Sequence, residues 1–378
     1  MPFSSRRREA NVTRARVALI GLGHAALDLH LPGYVECPAL ELLAGADPRP
    51  EARAAAEARG FLPRTYSDYR EMLDRERPEF VSVLVPAHLT EGICKDCFSR
   101  GIAVHCEKPL ALDLATATRI VAAAEQARVA LKVCFNYRFF PDAAEARRDI
   151  AEGRIGQPYF TDVNEYARYP FVSEGGRSTW GITADATPFW GSPDCRADAS
   201  RLIWAYKAVH YIDLARFWTG AEVATVFVEM GRHGGVADIG ENFCCALLIM
   251  TSGCRVKLSH CWGSHGCGRR GPCLTAEVKI EGEEGSLWIE RVPGADGQPA
   301  QPGVYRIYSQ GRLVKRLSPD PAWAPSFAAS LLELVSAVRE SREPMSSGRD
   351  ALRVMEVVDA GYASAGQQAI VRLGSPGS

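Results

Sequence analysis

An α/β fold in two parts is what this sequence predicts: an N-terminal doubly wound parallel sheet, then an α+β unit with an open, mostly antiparallel sheet. Three observations carry that expectation. Short apolar β-type runs alternate with helical patterns over residues 14–136, the first run stops at a glycine turn that opens a helix, and beyond Pro141 long strand-like runs dominate. With 378 residues, 47% hydrophobic and 24% charged, the chain is long enough to build two cores.

The elements follow in order. "RVALI" (16–20) is a β-rich run that ends at "GLGHAA" (21–26), and "LELLAGAD" is a second buried strand ending at Asp47. "PEARAAAEARGF" carries a helical period with a stop at Gly60, and "SDYREMLDRERP" adds a helix capped by Ser67. "EFVSVLVP", "IAVHCEKP" and "ALKVCFNYRF" are further strands, separated by helices over "TEGICKDCFSRG" and "LDLATATRIVAAAEQARV". After Pro141 come a helix through "DAAEARRDIAEG", an extended "PYFTDVNEYARY" and an irregular stretch over 170–200. "WAYKAVHYIDLARFWTG" is a helix with a stop at Gly220; strand-like runs then continue to "GVYRIYS", and two helices close the chain. The expected division is a disordered basic tail (1–13), a nucleotide-binding domain (14–136) and a substrate-binding and oligomerisation domain (137–378).

Composition narrows the function. A net charge of −1 gives neither a basic field for nucleic acid nor an acidic one for cationic partners, so a small molecule is the expected ligand. No apolar run reaches the ~18 residues of a membrane span, so none is expected. Arg6, Arg7 and Arg8 hint at an export signal, but the apolar stretch after them ends in a glycine loop without a small-residue cleavage site, which points to the cytoplasm.

The 12 cysteines lie mostly in apolar runs and read as core residues. Cys254, Cys261, Cys267 and Cys273, interleaved with His260 and His265, lack the paired knuckles of a zinc site, and Cys94-x-x-Cys97 sits in a helix; no metal is expected.

Three constellations carry chemistry. Gly21, Gly23 and Ala26, with His24 and Ala25 between, stand where a strand gives way to a helix, the context in which a backbone loop and helix N-terminus cradle a pyrophosphate. Asp47, at the end of the second strand, suits the ribose hydroxyls of NAD and disfavours the extra phosphate of NADP, a preference Arg49 softens. Glu107-Lys108-Pro109 lies at a strand end facing the ligand crevice, where partial burial lowers a lysine's affinity for its proton. Tyr206, His210 and Asp213 have i, i+4 and i+7 spacing, so one helix face brings phenol, imidazole and carboxylate together, with Lys207 pointing off it. His210 is there a candidate for proton transfer.

The order and spacing of "VALIGLGHAALDLHLPGY", "VHCEKPLAL", "VCFNYRFFP", "GRIGQPYF", "VHYIDLARFWTG" and "IEGEEGSLWIE" resemble the glucose-fructose oxidoreductase, inositol dehydrogenase and rhizopine-catabolism family of nicotinamide-dependent oxidoreductases. The resemblance implies a Rossmann domain, catalytic Lys108 assisted by His210, and Asn136 and Arg138 near cofactor and substrate. Two departures stand out: Tyr206 replaces the usual Asp of Asp-x-Gly-x-His, and the usual Pro-Asn pair is Pro86-Ala87, with Thr90 where a histidine usually follows.

The resulting expectation is NAD-dependent oxidation, or the reverse reduction, at a secondary hydroxyl of a sugar, amino sugar or cyclitol. Lys108, His210 and Tyr206 are the catalytic candidates. Gly21, Gly23, His24, Ala25, Ala26, Asp47, Arg49, Val85, Pro86, Glu107, Lys108 and Asn136 are expected at the cofactor; Lys108, Arg138, Tyr166, Tyr206 and His210 are expected at the substrate. A homodimer or homotetramer through the C-terminal sheet is expected, and the competing function is a dinucleotide-binding regulator without chemistry.

Overall fold

The computed structural model describes residues 13–167, 201, 203–232, 240–262, 274–291, 303–319 and 323–374. Most of the basic tail, the stretch with Trp180 and Trp190, and the positions of His265, Cys267 and Cys273 lie outside the described residues.

Six strands form the first sheet: β1 (Ala15–Ile20), β2 (Leu40–Ala46), β3 (Thr65–Tyr66), β4 (Phe80–Val83), β5 (Ala103–Cys106) and β6 (Leu131–Val133). Every pairing is parallel, in the order β3-β2-β1-β4-β5-β6. Strands covered on both faces read as continuous apolar runs, as "RVALI" does. The order reverses between β1 and β4, and an open parallel sheet places its ligand crevice at that switch.

The connecting helices are α1 (Leu31–Val35), α2 (Pro50–Arg59), α3 (Tyr69–Glu76), α4 (Thr90–Phe98) and α5 (Leu114–Ala127). Asp68, not the expected Ser67, caps α3, its carboxylate accepting the Arg70 N–H at 2.8 Å. Cys94 and Cys97 are buried in α4, and burial helps push the Cys97 thiol up to about 12, against a redox role.

After α6 (Pro141–Ala151) the chain enters the second sheet at β7 (Pro158–Ala167), and α7 (Val209–Thr219) follows. The remaining strands are β8 (Val223–Gly231), β9 (Phe243–Met250), β10 (Arg255–Cys261), β11 (Leu274–Gly282), β12 (Ser286–Arg291), β13 (Val304–Ser309), β14 (Arg312–Leu317) and β15 (Val371–Arg372). The order is β14-β13-β12-β11-β7-β10-β9-β8-β15; only β7 and β10 run parallel. This is the mostly antiparallel open sheet expected.

The last two helices, α8 (Trp323–Arg339) and α9 (Gly348–Gln367), go to different places. α8 returns to the first sheet, where Phe327, Leu331 and Leu334 join the core of Val17, Leu19 and Tyr34. α9 packs against α5, α7 and β8. At Gly361 a Cβ would lie 2.2 Å from the Trp204 indole nitrogen, so glycine is required for that approach, and the same nitrogen donates to the Val358 carbonyl at 3.0 Å.

Candidate active site

The carboxyl ends of β1, β4, β5 and β6 lie along one edge of the parallel sheet, where such folds place their ligand crevice. Gly21 leaves β1 at φ +92°, and a Cβ there would lie 2.3 Å from the Leu84 carbonyl oxygen and 3.1 Å from Val85. This contact puts the glycine turn beside Val85 and Pro86. At Gly23 the nearest atom to a built Cβ is the Arg49 guanidinium at 3.7 Å, so the backbone there is open to a ligand. Ala26 is fully buried in a π turn (Ala25–His30), and His24 pairs with Asp28 at 2.6 Å.

Asp47 is buried at the end of β2. It accepts the Leu22 N–H at 2.9 Å and, through both oxygens, the Arg49 side chain at 3.0 Å. Burial raises its pKa, but these donors outweigh it and hold the carboxyl below its ordinary value. Arg49 therefore occupies the oxygens that the ribose reading needs.

Glu107-Lys108-Pro109 follows β5, with a cis Lys108–Pro109 bond. Glu107 Oε1 accepts from His30 Nε2 at 2.7 Å, and Oε2 accepts the Lys108 backbone N–H at 3.0 Å. The carboxylate thus holds the turn rather than the lysine's ammonium. Behind it, His30 Nδ1 is 2.9 Å from the Tyr34 hydroxyl, which lies 3.0 Å from Ser82 Oγ and 3.2 Å from His105 Nδ1; His105 Nε2 reaches Ser330 of α8 at 3.0 Å.

Lys108 Nζ donates to the Tyr206 carbonyl at 3.0 Å and sits 5.8 Å from the Tyr206 ring centroid. Burial lowers its pKa, with Glu107 and Glu165 opposing, and the net shift is downward. Tyr206 lies in a π turn (Trp204–Ala208) that leads into α7, not in the regular α-helix expected. His210 is 4% exposed and stacks on Tyr137, centroids 4.0 Å apart, with no hydrogen-bond partner at Nδ1 among the described residues. Burial first, then the charges of Lys108 and Lys207, press its pKa well below the usual imidazole value, so it is neutral at pH 7.

Three expectations need correction. Arg138, expected at the substrate, is buried in a bidentate pair with Asp213 at 2.6 and 2.7 Å, which ties the turn after β6 to α7 and engages the Asp213 carboxylate that was expected to share a face with Tyr206 and His210. Tyr166 follows Glu165 on β7, and alternation turns it to the outer face, 39% exposed. Lys207 does not point away: its Nζ contacts the Tyr137 hydroxyl, lies 3.5 Å from Glu165 Oε1, and is buried. The π turn inserts a residue into the helical repeat and changes which side chains share its inner side. The i, i+3 spacing of Lys207 and His210 was the available signal.

Asn136 is buried, its amide donating to Ser326 Oγ at 3.1 Å. Among the cysteine-rich segment's described residues, His260 and Cys261 occupy opposite faces of β10 while Cys254 precedes the strand's other end, so they do not converge.

Residues 15–135 match the NAD-binding Rossmann fold of the GFO_IDH_MocA oxidoreductase family, and residues 147–373 match that family's C-terminal alpha/beta domain. A D-apiose dehydrogenase of Paraburkholderia graminis is 30% identical over 377 residues, covering 96% of this chain and 91% of its own length. A myo-inositol 2-dehydrogenase of Thermotoga maritima is 24% identical over 58% of this chain and 62% of its own. The fold is shared with an aldose-aldose oxidoreductase of Caulobacter crescentus solved with glycerol (TM-score 0.76, 21% identity, covering 95% of this chain and all of that one). This chain therefore belongs to the Gfo/Idh/MocA oxidoreductase family and carries its NAD-binding Rossmann domain.

Proposed function

We propose that the protein is an NAD-dependent dehydrogenase acting reversibly on a secondary hydroxyl of a sugar, amino sugar or cyclitol. The observation that carries this reading is the placement of Lys108 at the β5 end, beside Tyr206 and a neutral His210, next to an open glycine loop. NAD fits that loop: the backbone at Gly23 is free to approach a pyrophosphate, and Val85, Pro86 and Asn136 flank the crevice. Bound there, NAD supplies the hydride acceptor. NAD rather than NADP is favoured by Asp47, whose ribose contact requires Arg49 to swing aside.

Lys108, its proton affinity reduced by burial, accepts the substrate's hydroxyl proton. His210 directs its unpartnered Nδ1 to the same oxygen or relays the proton, meeting alkoxide charge as it forms. Tyr206 stands where the family's acid usually stands and is a further hydroxyl at that oxygen. A phenol of ordinary pKa near ~10 serves here as donor rather than base.

The outer face of the second sheet is proposed as a homodimer or homotetramer contact. Phe227 and Leu247 are cross-strand neighbours there, 37% and 43% exposed. Among the described residues no helix is long and apolar enough to cross a membrane, and the expected compartment is the cytoplasm.

The test is incubation with NAD and a panel of neutral sugars and cyclitols that includes D-apiose and myo-inositol, following reduced nicotinamide. Reduction by one class supports the reading; a flat response across the panel with tight NAD binding favours the regulator.

A further inference from the structure

The inner face of the second sheet carries a rung of facing residues: Arg291 on β12, Ala276 on β11, Glu165 on β7, His260 on β10 and Cys244 on β9. Directly opposed residues share a face. On this rung both Glu165 oxygens, both His260 ring nitrogens and Arg291 Nη1 are buried and find no hydrogen-bond partner among the described residues. The Tyr211 hydroxyl and His210 Nδ1, from α7, are in the same state.

These seven atoms belong to one group of side chains. The Tyr211 and His260 rings lie 5.4 Å apart, and Tyr137 meets Tyr211 edge-on at 5.6 Å while stacking on His210 at 4.0 Å. The Arg291 guanidinium lies 5.4 Å from the Tyr137 ring centroid, and its other two nitrogens are held by Asp142 of α6 at 2.7 and 2.8 Å. Lys207 and His260 stand 3.5 and 3.7 Å from Glu165 Oε1, near enough to balance its charge without completing a hydrogen bond. His210 connects the group to the crevice, where Lys108 is, after burial, the first charge to lower its pKa.

Buried polar groups cost stability unless something bonds them, and a mixed set restricts what that can be. A carboxylate only accepts, a guanidinium only donates, and imidazole and phenol do both. A ligand carboxylate or phosphate brings acceptors alone and is repelled by Glu165. A protonated amine brings donors alone and meets the charges of Lys207 and Arg291. Hydroxyl groups donate to Glu165 and accept from Arg291 at once.

We propose that Glu165, with His260, Tyr211 and Arg291, determines substrate specificity by selecting a neutral polyol through hydroxyls remote from the carbon that is oxidised. This rests on the dehydrogenase reading and narrows it: unacylated amino sugars and sugar acids are rejected. A site built to bond a hydroxyl discriminates against analogues that lack it far more strongly than an apolar pocket discriminates by size. Glu165 thus takes the place expected for its sequence neighbour Tyr166, because one residue along a strand changes the face.

The experiment measures binding to the NAD-loaded protein by isothermal titration calorimetry. D-Glucose, D-apiose and myo-inositol are the neutral polyols, and D-glucosamine and D-glucuronate the charged counterparts. A neutral polyol should bind more tightly than either charged sugar. Glu165→Gln should weaken that binding about 10–100-fold, the worth of a hydrogen bond to a charged group, and Tyr211→Phe about 2–10-fold. Unchanged NAD affinity in both variants shows that they fold. Among monodeoxy analogues of the tightest-binding polyol, the one lacking the hydroxyl held by Glu165 should lose a similar factor with wild type, and Glu165→Gln should tell it from the parent about tenfold less well.

Unchanged polyol affinity in Glu165→Gln would mean that ordered water meets these groups, and overturns the proposal. Tighter binding of D-glucosamine or D-glucuronate, an equal loss for every analogue in wild type and variant, or no binding of any neutral polyol overturns it as well. Because binding needs no turnover, Glu165-dependent binding without nicotinamide reduction overturns the dehydrogenase reading alone.

Discussion

Two glutamates, each facing a histidine, stand near the crevice, Glu107 half-buried and Glu165 fully buried, and they are built differently. Glu107 is saturated: His30 donates at 2.7 Å, the Lys108 backbone at 3.0 Å, and the network runs through Tyr34 and His105 to Ser330. Glu165 stands 3.7 Å from His260 and 3.5 Å from Lys207, and neither of its oxygens has a hydrogen-bond partner among the described residues. Buried polar groups without partners cost stability, so their concentration marks a place built for something other than holding the fold. The first pair fixes the turn that aims Lys108. The second sets charge around it.

That difference is open to attack by mutation. The largest effect on stability is expected for His30→Ala, which strands Glu107 in the interior; urea unfolding should show a loss of about 3–5 kcal/mol, the usual cost of breaking a buried pair. A near-neutral result would mean that the two pairs are equivalent.

Next comes Glu107→Gln, which loses hydrogen bonds to a charged acceptor at about 1.5–3 kcal/mol each at neutral pH. Burial raises the Glu107 pKa but His30 outweighs it, so the folded value lies below the ordinary one. The stabilisation is therefore complete above the unfolded Glu pKa of ~4.3 and is lost as pH falls through the folded value. Urea midpoints of wild type and variant should differ at pH 7 and converge in acid. A gap constant with pH would show that the charge is not what holds the turn.

Glu165→Gln should have the smallest effect on stability, about 1 kcal/mol. Lys207, already at about 8, can shed its proton once its partner is neutral. A loss as large as that of Glu107→Gln would erase the distinction between the pairs.

The parts of this arrangement were not equally legible in the sequence. Alternating β and helical runs, a glycine turn after the first strand, and glycine stops at Gly60 and Gly220 sufficed for both sheets, because each is a local pattern. The position of Lys108 followed from the rule that strand ends face the crevice. Tyr166 was readable in principle: in "TDVNEY", Thr161, Val163 and Glu165 face inward, so the next residue faces out.

The π turn at Trp204–Ala208 was not, since one inserted residue leaves the apolar pattern intact while turning Lys207 inward. Nor were the pairing of Arg138 with Asp213 and the return of α8 to the first sheet. Both join positions far apart in the chain, and no local periodicity reports such contacts.

The central claim is that Lys108 takes the substrate's proton at an NAD-loaded crevice. Its most direct test is a single-turnover comparison of wild type and Lys108→Met, each preloaded with NAD, with NAD affinity read from protein fluorescence. The account predicts unchanged NAD binding and reduction slowed about 10²–10⁴-fold, the usual worth of a positioned acid–base group. Reduction at the wild-type rate, with NAD bound, would contradict it.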